Sequence, residues 1–415
     1  MPIYDILIVG AGIAGLSTAT ELINANPDLK ILIVEKYKQA GGRLHTIYKK
    51  NDIKYEAGAG RIHSSHKHLI KLVKTHGLTL SEINSTLDWR PSDTHINETD
   101  HFFSLFHKYC EILRDLPEPV LRTKTVRDLM IEILGVSLAK NILDTYPYRA
   151  EIEIMSAISS LDLFKTLENG KFFIINEGFS ELVKRIVENL RSVNLKFNHE
   201  IQRFDYNKEE SVYTVTSIYN KNIVEFKTKR LILAIPKSPL EKINPFSPDH
   251  PLLVNLRMEP LLRIYSIYKN SLWFPEKPIV TDSPLRFIIP IDKGRGVIMS
   301  SYLDARDTEP WLEFTKPENA QLLKSRIHDE TQILFPDQLI PTAESTIPYL
   351  WEEGCTYWLP GDYDYKMLSR TALYPMPEKY PNLHIVGESF STKQQWVEGA
   401  LEHSNELVRL ILGSL

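Results

Sequence analysis

Three glycines and one acid near the start of the chain have the types and spacing to hold a phosphate-bearing molecule. Gly10, Gly12 and Gly15 follow the pattern Gly-x-Gly-x-x-Gly, and Glu35 stands 20 residues beyond the last of them. In such a set the first glycine permits a tight turn. The second lets a pyrophosphate reach the backbone, and the third lets helix and strand pack closely. The helix N-terminus then turns unpaired N–H groups and a positive dipole end toward the phosphates. A carboxylate at Glu35 would accept from the ribose hydroxyls of an adenosine and disfavour a 2′-phosphate. By itself the spacing is only a glycine-rich turn, so its context decides. The run from Ile3 to Val9 is apolar almost throughout, as a buried parallel strand is, and 30–35 is a second such run. Between them, Leu16, Ala19, Leu22 and Ile23 recur at helical spacing until Pro27 stops the helix. This is a complete βαβ unit, and it predicts a dinucleotide site. NAD and FAD both satisfy it.

The rest of the chain must position that site. At 415 residues it is long enough for two domains, and 43% apolar with 25% charged residues predicts a packed globular protein. With 49 basic against 53 acidic residues there is no electrostatic reason to expect nucleic acid. Cys110 and Cys355 are the sole cysteines; they make no disulfide framework and no CxxC, which argues against a pyridine-nucleotide disulfide reductase. We read no signal peptide, no apolar stretch of spanning length and no peroxisomal tripeptide. The expectation is a cytoplasmic protein without a membrane anchor, a monomer or homodimer.

Along the chain the pattern predicts strands at 46–48 and 53–56, a helix over 62–79, and a polar stretch from 81 to 100. Helices are predicted near 101–116 and 125–146, a strand at 172–176 and a helix at 180–190. Strands follow at 195–204, 212–217, 223–228, 231–235, 263–268, 287–290 and 297–302, then a helix at 318–334. A last buried strand at 383–386 leads into a helix at 397–412. There is no internal repeat.

Further motifs stand at set places. Gly41-Gly42-Arg43 follows Glu35, and Glu56-Ala57-Gly58-Ala59-Gly60-Arg61 follows a short hairpin. Near the far end are Ile385-Val386-Gly387-Glu388 and, eight residues on, Trp396-Val397-Glu398-Gly399-Ala400. Between them lie Glu177-Gly178-Phe179-Ser180 and the run 231–236. In this order the chain resembles the flavin-containing amine oxidase family, which includes monoamine oxidases, polyamine oxidases and L-amino-acid oxidases. The resemblance spans essentially the whole chain.

That resemblance implies an α/β fold: a doubly wound, glutathione-reductase-like FAD-binding domain assembled from 1–75, 175–245 and 350–415. An inserted α+β substrate domain would come from 76–174 and 246–349. It implies FAD, with its adenosine near Glu35, its pyrophosphate near Gly10, Gly12, Ile13, Ala14, Gly15 and Arg43, and its ribityl phosphate near Gly387 and Glu388. Trp396, Val397 and Ala400 would meet the flavin at the start of the last helix, whose positive end suits a reduced flavin's charge. Lys36, Gly42, Gly58, Ala59, Gly60, Arg61 and Ile201 complete the implied cofactor contacts.

The implied chemistry is oxidation of the C–N bond of an amine or L-amino acid. Hydride passes to flavin N5, the imine hydrolyses to a carbonyl, and O2 is reduced to H2O2. Aromatic walls would align the substrate, and burial would favour its neutral amine. Trp396 matches one wall, and Tyr357 or Trp358 is expected at the other; core packing is the plainer reading of Trp396. The family's lysine ten residues before a tryptophan is here Arg263, before Trp273. Arginine can hold a water but cannot act as a neutral base, and a surface strand position is its bland reading. Cys355 follows a glycine where monoamine oxidases attach flavin covalently; a free buried thiol is the commoner outcome, and non-covalent FAD is expected.

The segment 281–288 and Gly60-Arg61 resemble L-amino-acid oxidases, in which the arginine grips the substrate carboxylate and Tyr302 matches a second contact. Arg61 holding flavin or backbone is the competing reading. His63, His66 and His68 read as a solvated helix start, and no metal is expected. Other readings are a flavin desaturase or isomerase for a lipid-like substrate, with Phe102, Phe103 and Phe106 lining a tunnel, or a catalytically weak FAD-binding interaction protein.

Overall fold

The computed structural model describes residues 2–92 and 99–413. Its first sheet has seven strands with Ile3–Val9 at the centre, parallel to Ile31–Val34 on one side and to the end of Asn222–Leu233 on the other. Asn194–Lys196 and Leu383–Ile385 add parallel strands beyond these. The first half of Asn222–Leu233 leaves the parallel set and forms an antiparallel ladder with Val212–Tyr219, which pairs in turn with Glu200–Asn207. All four residues of Ile31–Val34 are buried. Cover on both faces is why these strands read as unbroken apolar runs. The helices Ile13–Ala25 and Val397–Leu412 pack on each other, and Ser404 Oγ donates to the Ala14 carbonyl at 3.0 Å.

A second sheet of six strands runs in the order Ser345–Trp358, Leu256–Ile267, Val297–Asp304, Phe287–Asp292, Ile279–Val280, Asp88–Trp89. It is antiparallel except for its last pair. Its register sets Arg263 opposite Tyr302 on one neighbour and opposite Tyr349 on the other. Cross-strand partners share a face, so the sheet presents these three side chains together. The helices between Thr99 and Leu167 bury a core of their own, including Phe106, Met130, Ile142 and Phe164.

Several expectations change. The predicted helix over 62–79 is a strand at Ile62–His63 followed by a shorter helix, Lys67–Thr75. The predicted helix near 125–146 splits into Val126–Leu134 and Val136–Asp144 at Gly135, whose φ of 76° no helix continues through. The polar stretch after 81 contains the end of the strand Leu80–Ile83 and the whole of the strand Asp88–Trp89; residues 93–98 of it lie outside the described residues. The 14-residue strand Ser345–Trp358 was not anticipated, because exposed Glu352 and Glu353 interrupt its alternation. Phe106 stacks on Tyr146 at 4.7 Å and is buried in the helical core, which agrees with ordinary packing.

Candidate active site

The glycine turn is built as the spacing predicts. A Cβ on Gly15 would stand 2.1 Å from the Gly10 carbonyl oxygen, and one on Gly10 would stand 2.5 Å from that of Ala234. At Gly12 a Cβ would meet nothing within 4 Å. Gly12 is also the N-cap of Ile13–Ala25, and no side chain caps that helix. Open space before an uncapped helix N-terminus fits a pyrophosphate. Gly42, at φ 57°, lies against Gly12. Glu35 is buried and accepts from the N–H groups of Ala11 and Tyr37, each at 2.8 Å. Lys36 turns outward to an ion pair with Glu200 at 2.8 Å, and Ile201 is buried in the adjoining strand.

Arg43 and Glu388, assigned by resemblance to two parts of one cofactor, form an ion pair at 2.7 Å. Arg43 also donates to the Gly354 carbonyl at 2.9 Å, and Glu388 accepts from the N–H of Gln395 at 2.7 Å. These bonds join the turn after Glu35, the end of a second-sheet strand and the segment before the last helix. Gly58 packs against the Arg43 carbonyl, where a Cβ would stand at 1.9 Å, and Ala59 donates to that carbonyl at 3.0 Å. Gly387 donates to His403 Nδ1 at 3.2 Å, and Val397 and Ala400 sit in the first turn of the last helix, which no side chain caps.

Beside the second sheet, aromatic rings gather around two arginines. Arg263 is 5% exposed, which removes the surface-strand reading. It donates to the Glu56 carbonyl at 2.9 Å and to the Tyr302 hydroxyl at 3.2 Å, while its Nε is buried with no partner. Tyr265 donates to the same carbonyl at 2.6 Å. Burial pushes the Glu56 carboxyl up to about 7. Arg61 lies near the rings of Phe172, Phe287 and Tyr148, at 5.4, 5.7 and 5.8 Å from their centroids, and donates to the Tyr148 hydroxyl. Among the described residues no carboxylate lies within 4.0 Å of it. Burial pulls its guanidinium below the ordinary value, and Arg263 adds to that effect. Gly60 lies against Arg263, where a Cβ would come within 3.2 Å of the guanidinium. Phe172 continues from Arg61 to Trp396, 6.3 Å away between ring centroids. A cleft of about 410 Å³, lined by Trp396, His66, Met155 and Leu163 among others, opens beside this wall.

Two expected wall residues are enclosed by protein. Trp358 has no exposed surface, donates from its indole to the Ser391 carbonyl at 3.0 Å and packs in the core of the first sheet, which leaves no face for a substrate. Tyr357 is 2% exposed among Ala150, Met155 and Ala305. Beside it, burial and then Glu388 push the Cys355 thiol up to about 12. The histidines also differ from expectation: His63 and His66 are buried, not solvated. His68 Nδ1, Glu398 and Glu402 come close together, but they have protein partners: Asn405, the 67–75 helix and Lys393. The sequence reading missed Tyr148, Phe172 and Phe287, because they come from three separate segments without a shared spacing.

Residues 13–127 and 136–412 match the family described as flavin containing amine oxidoreductase. The chain belongs to that family. FAD-dependent oxidation of amines is the family's general chemistry, and the open glycine turn fits its cofactor. A Bacillus subtilis protein named "Putative L-amino-acid oxidase YobN" is 24% identical over 96% of this chain and 92% of its own. The flavin-containing amine oxidase A of Equus caballus is 21% identical over 65% of this chain and 57% of its own. A variant of putrescine oxidase superposes with a TM-score of 0.77 at 17% identity over 99% of both chains, a likeness of fold. Among the described residues no helix is long and apolar enough to cross a membrane.

Proposed function

We propose that this protein oxidises the C–N bond of an L-α-amino acid, with Arg61 holding the carboxylate. The observation that carries this reading is a half-buried guanidinium ringed by Tyr148, Phe172 and Phe287, with no carboxylate within 4.0 Å among the described residues. A buried charge is costly until something pairs with it, and a carboxylate suits a guanidinium by bidentate hydrogen bonding. Arg263 adds a second positive charge to the same cluster of rings. An amino acid brings its own countercharge there, whereas a diamine brings two more cations. The full-length relative named as an amino-acid oxidase supports the same side.

Bound FAD supplies a two-electron acceptor. The chain's part is to bind, orient and desolvate: Arg61 fixes the carboxylate, Tyr302 braces Arg263, and Phe172 and Trp396 form the apolar wall that favours a neutral amine. The division into FAD segments and substrate segments given above is proposed with this reading. Anaerobic mixing with a panel of amines and L-amino acids tests it. Flavin bleaching by amino acids alone is the expected result, and bleaching by amines alone would overturn it.

Oxygen is the proposed acceptor, with Arg263 supplying positive charge where negative charge develops as O2 takes electrons. Arg263→Met is expected to slow reoxidation by air about thirtyfold, as removal of one preorganised charge worth about 2 kcal/mol would. Stopped-flow absorbance with peroxide detection checks this. Non-covalent FAD is also proposed. A thiol held up to about 12 stays protonated at neutral pH and is a poor nucleophile. Acid precipitation is expected to leave the yellow colour in the supernatant; colour in the pellet that Cys355→Ala removes would contradict it.

A further inference from the structure

The helix Lys67–Thr75 begins without a cap of its own, for its N-cap residue His66 makes no side-chain bond to it. Its free N–H groups go instead to Glu398. The N–H of His68 donates to one carboxylate oxygen and that of Leu69 to the other, each at 2.9 Å. Glu398 has no exposed surface and stands two residues after Trp396. A capping bond typically contributes about 1 kcal/mol, and an anion at a helix N-terminus adds to that. The start of one helix is thereby fastened to the start of the other.

The fastened end carries His66, which is 1% exposed and accepts from the His63 N–H at 3.1 Å. Its ring meets the Trp396 indole edge-on, with centroids 4.8 Å apart. The indole Nε1 is buried without a hydrogen-bond partner. No hydrogen bond therefore orients this ring, and packing alone sets its position. The contacts close a loop: from Trp396 along the chain to Glu398, through its carboxylate to His68 and Leu69, back to His66 and onto the indole.

We propose that Glu398 is a positioning residue for the substrate chamber, which holds His66 against Trp396 by capping the 67–75 helix. This rests on the reading of Trp396 as a substrate wall. The same geometry assigns His66 as the element through which the carboxylate acts.

The test uses the FAD-loaded protein and benzoate, which offers a carboxylate to Arg61 and a ring to the indole. Benzoate affinity is read from the change in flavin absorbance, and the visible circular dichroism of the flavin is read in its absence. Trp396→Ala is expected to weaken benzoate binding tenfold or more. Glu398→Ala and His66→Asn are expected to weaken it about tenfold and to alter the flavin dichroism. Glu398→Gln keeps one acceptor and recovers affinity to within about threefold of wild type. Glu402→Gln, one turn further along, leaves both readouts unchanged. His66→Asn keeps an acceptor for the His63 N–H and a good N-cap, so it decides the matter alone if Glu398→Ala does not retain FAD. Wild-type affinity and dichroism in His66→Asn, with Trp396→Ala impaired, would overturn the inference. Wild-type affinity in Trp396→Ala would instead overturn the substrate-wall reading beneath it.

Discussion

Arg61→Met is expected to raise the KM of an L-α-amino acid about a hundredfold or more, with a smaller change in kcat. A pair of charge-assisted hydrogen bonds from a guanidinium contributes about 3 kcal/mol or more, and each 1.4 kcal/mol is tenfold. The amine with the same side chain but no carboxylate should be oxidised at least as well by the variant as by the wild type. It makes no bond to Arg61 and is repelled by its charge. Methionine is unbranched and apolar and suits the space beside the Phe172 and Phe287 rings that the guanidinium faces, so folding should be preserved. Steady-state kinetics on one matched amino acid and amine would decide the point. Equal losses for both would show that Arg61 holds the cofactor or the backbone, not the substrate.

Substitutions at two glycines of one motif should fail in different ways. Gly12→Ala places a methyl group in open space, on a backbone with φ −70° and ψ 175° that any residue adopts. The apoprotein is expected to melt within about 3 °C of wild-type apoprotein, since no packed atom is displaced. FAD should nevertheless be lost, with affinity down a hundredfold or more, because the methyl stands where a pyrophosphate would approach the backbone. Gly15→Ala places its methyl 2.1 Å from the Gly10 carbonyl oxygen, which cannot move without parting strand from helix. That variant should lose about 3 kcal/mol or more and melt far lower even as apoprotein. Thermal melts of both apoproteins, with FAD titration followed by flavin fluorescence, distinguish the two. A Gly12→Ala protein that purifies fully yellow would remove the glycine turn from the cofactor site.

Local pattern was the legible part. Buried parallel strands announce themselves as short apolar runs, so Ile3–Val9, Ile31–Val34 and Leu383–Ile385 stood out. The terminal helix lies at Val397–Leu412 as the pattern predicts, because Ala400, Leu401, Leu407, Val408 and Ile411 recur at helical spacing. Ser345–Trp358 escaped notice because its middle is exposed at an edge of the second sheet. Ile62–His63 was absorbed into the helix that follows, since two residues carry no period of their own. Trp358 was misplaced for a related reason. A tryptophan's identity does not tell whether its strand end points into a chamber or a core, and here the Ser391 carbonyl and the first sheet claim it.

The chain's order of residues alone determined the βαβ unit and its glycine turn, because a tight turn and a close helix approach are local demands that only glycine meets. It also determined which charged and aromatic types were available for chemistry. Tertiary structure decided which of them meet. Strand register put Arg263 beside Tyr302 and Tyr349, and the distant segments of Tyr148, Phe172 and Phe287 closed around Arg61. Glu398 reached a helix 330 residues earlier in the chain. Such meetings depend on how sheets and helices stack, and no short-range spacing records that.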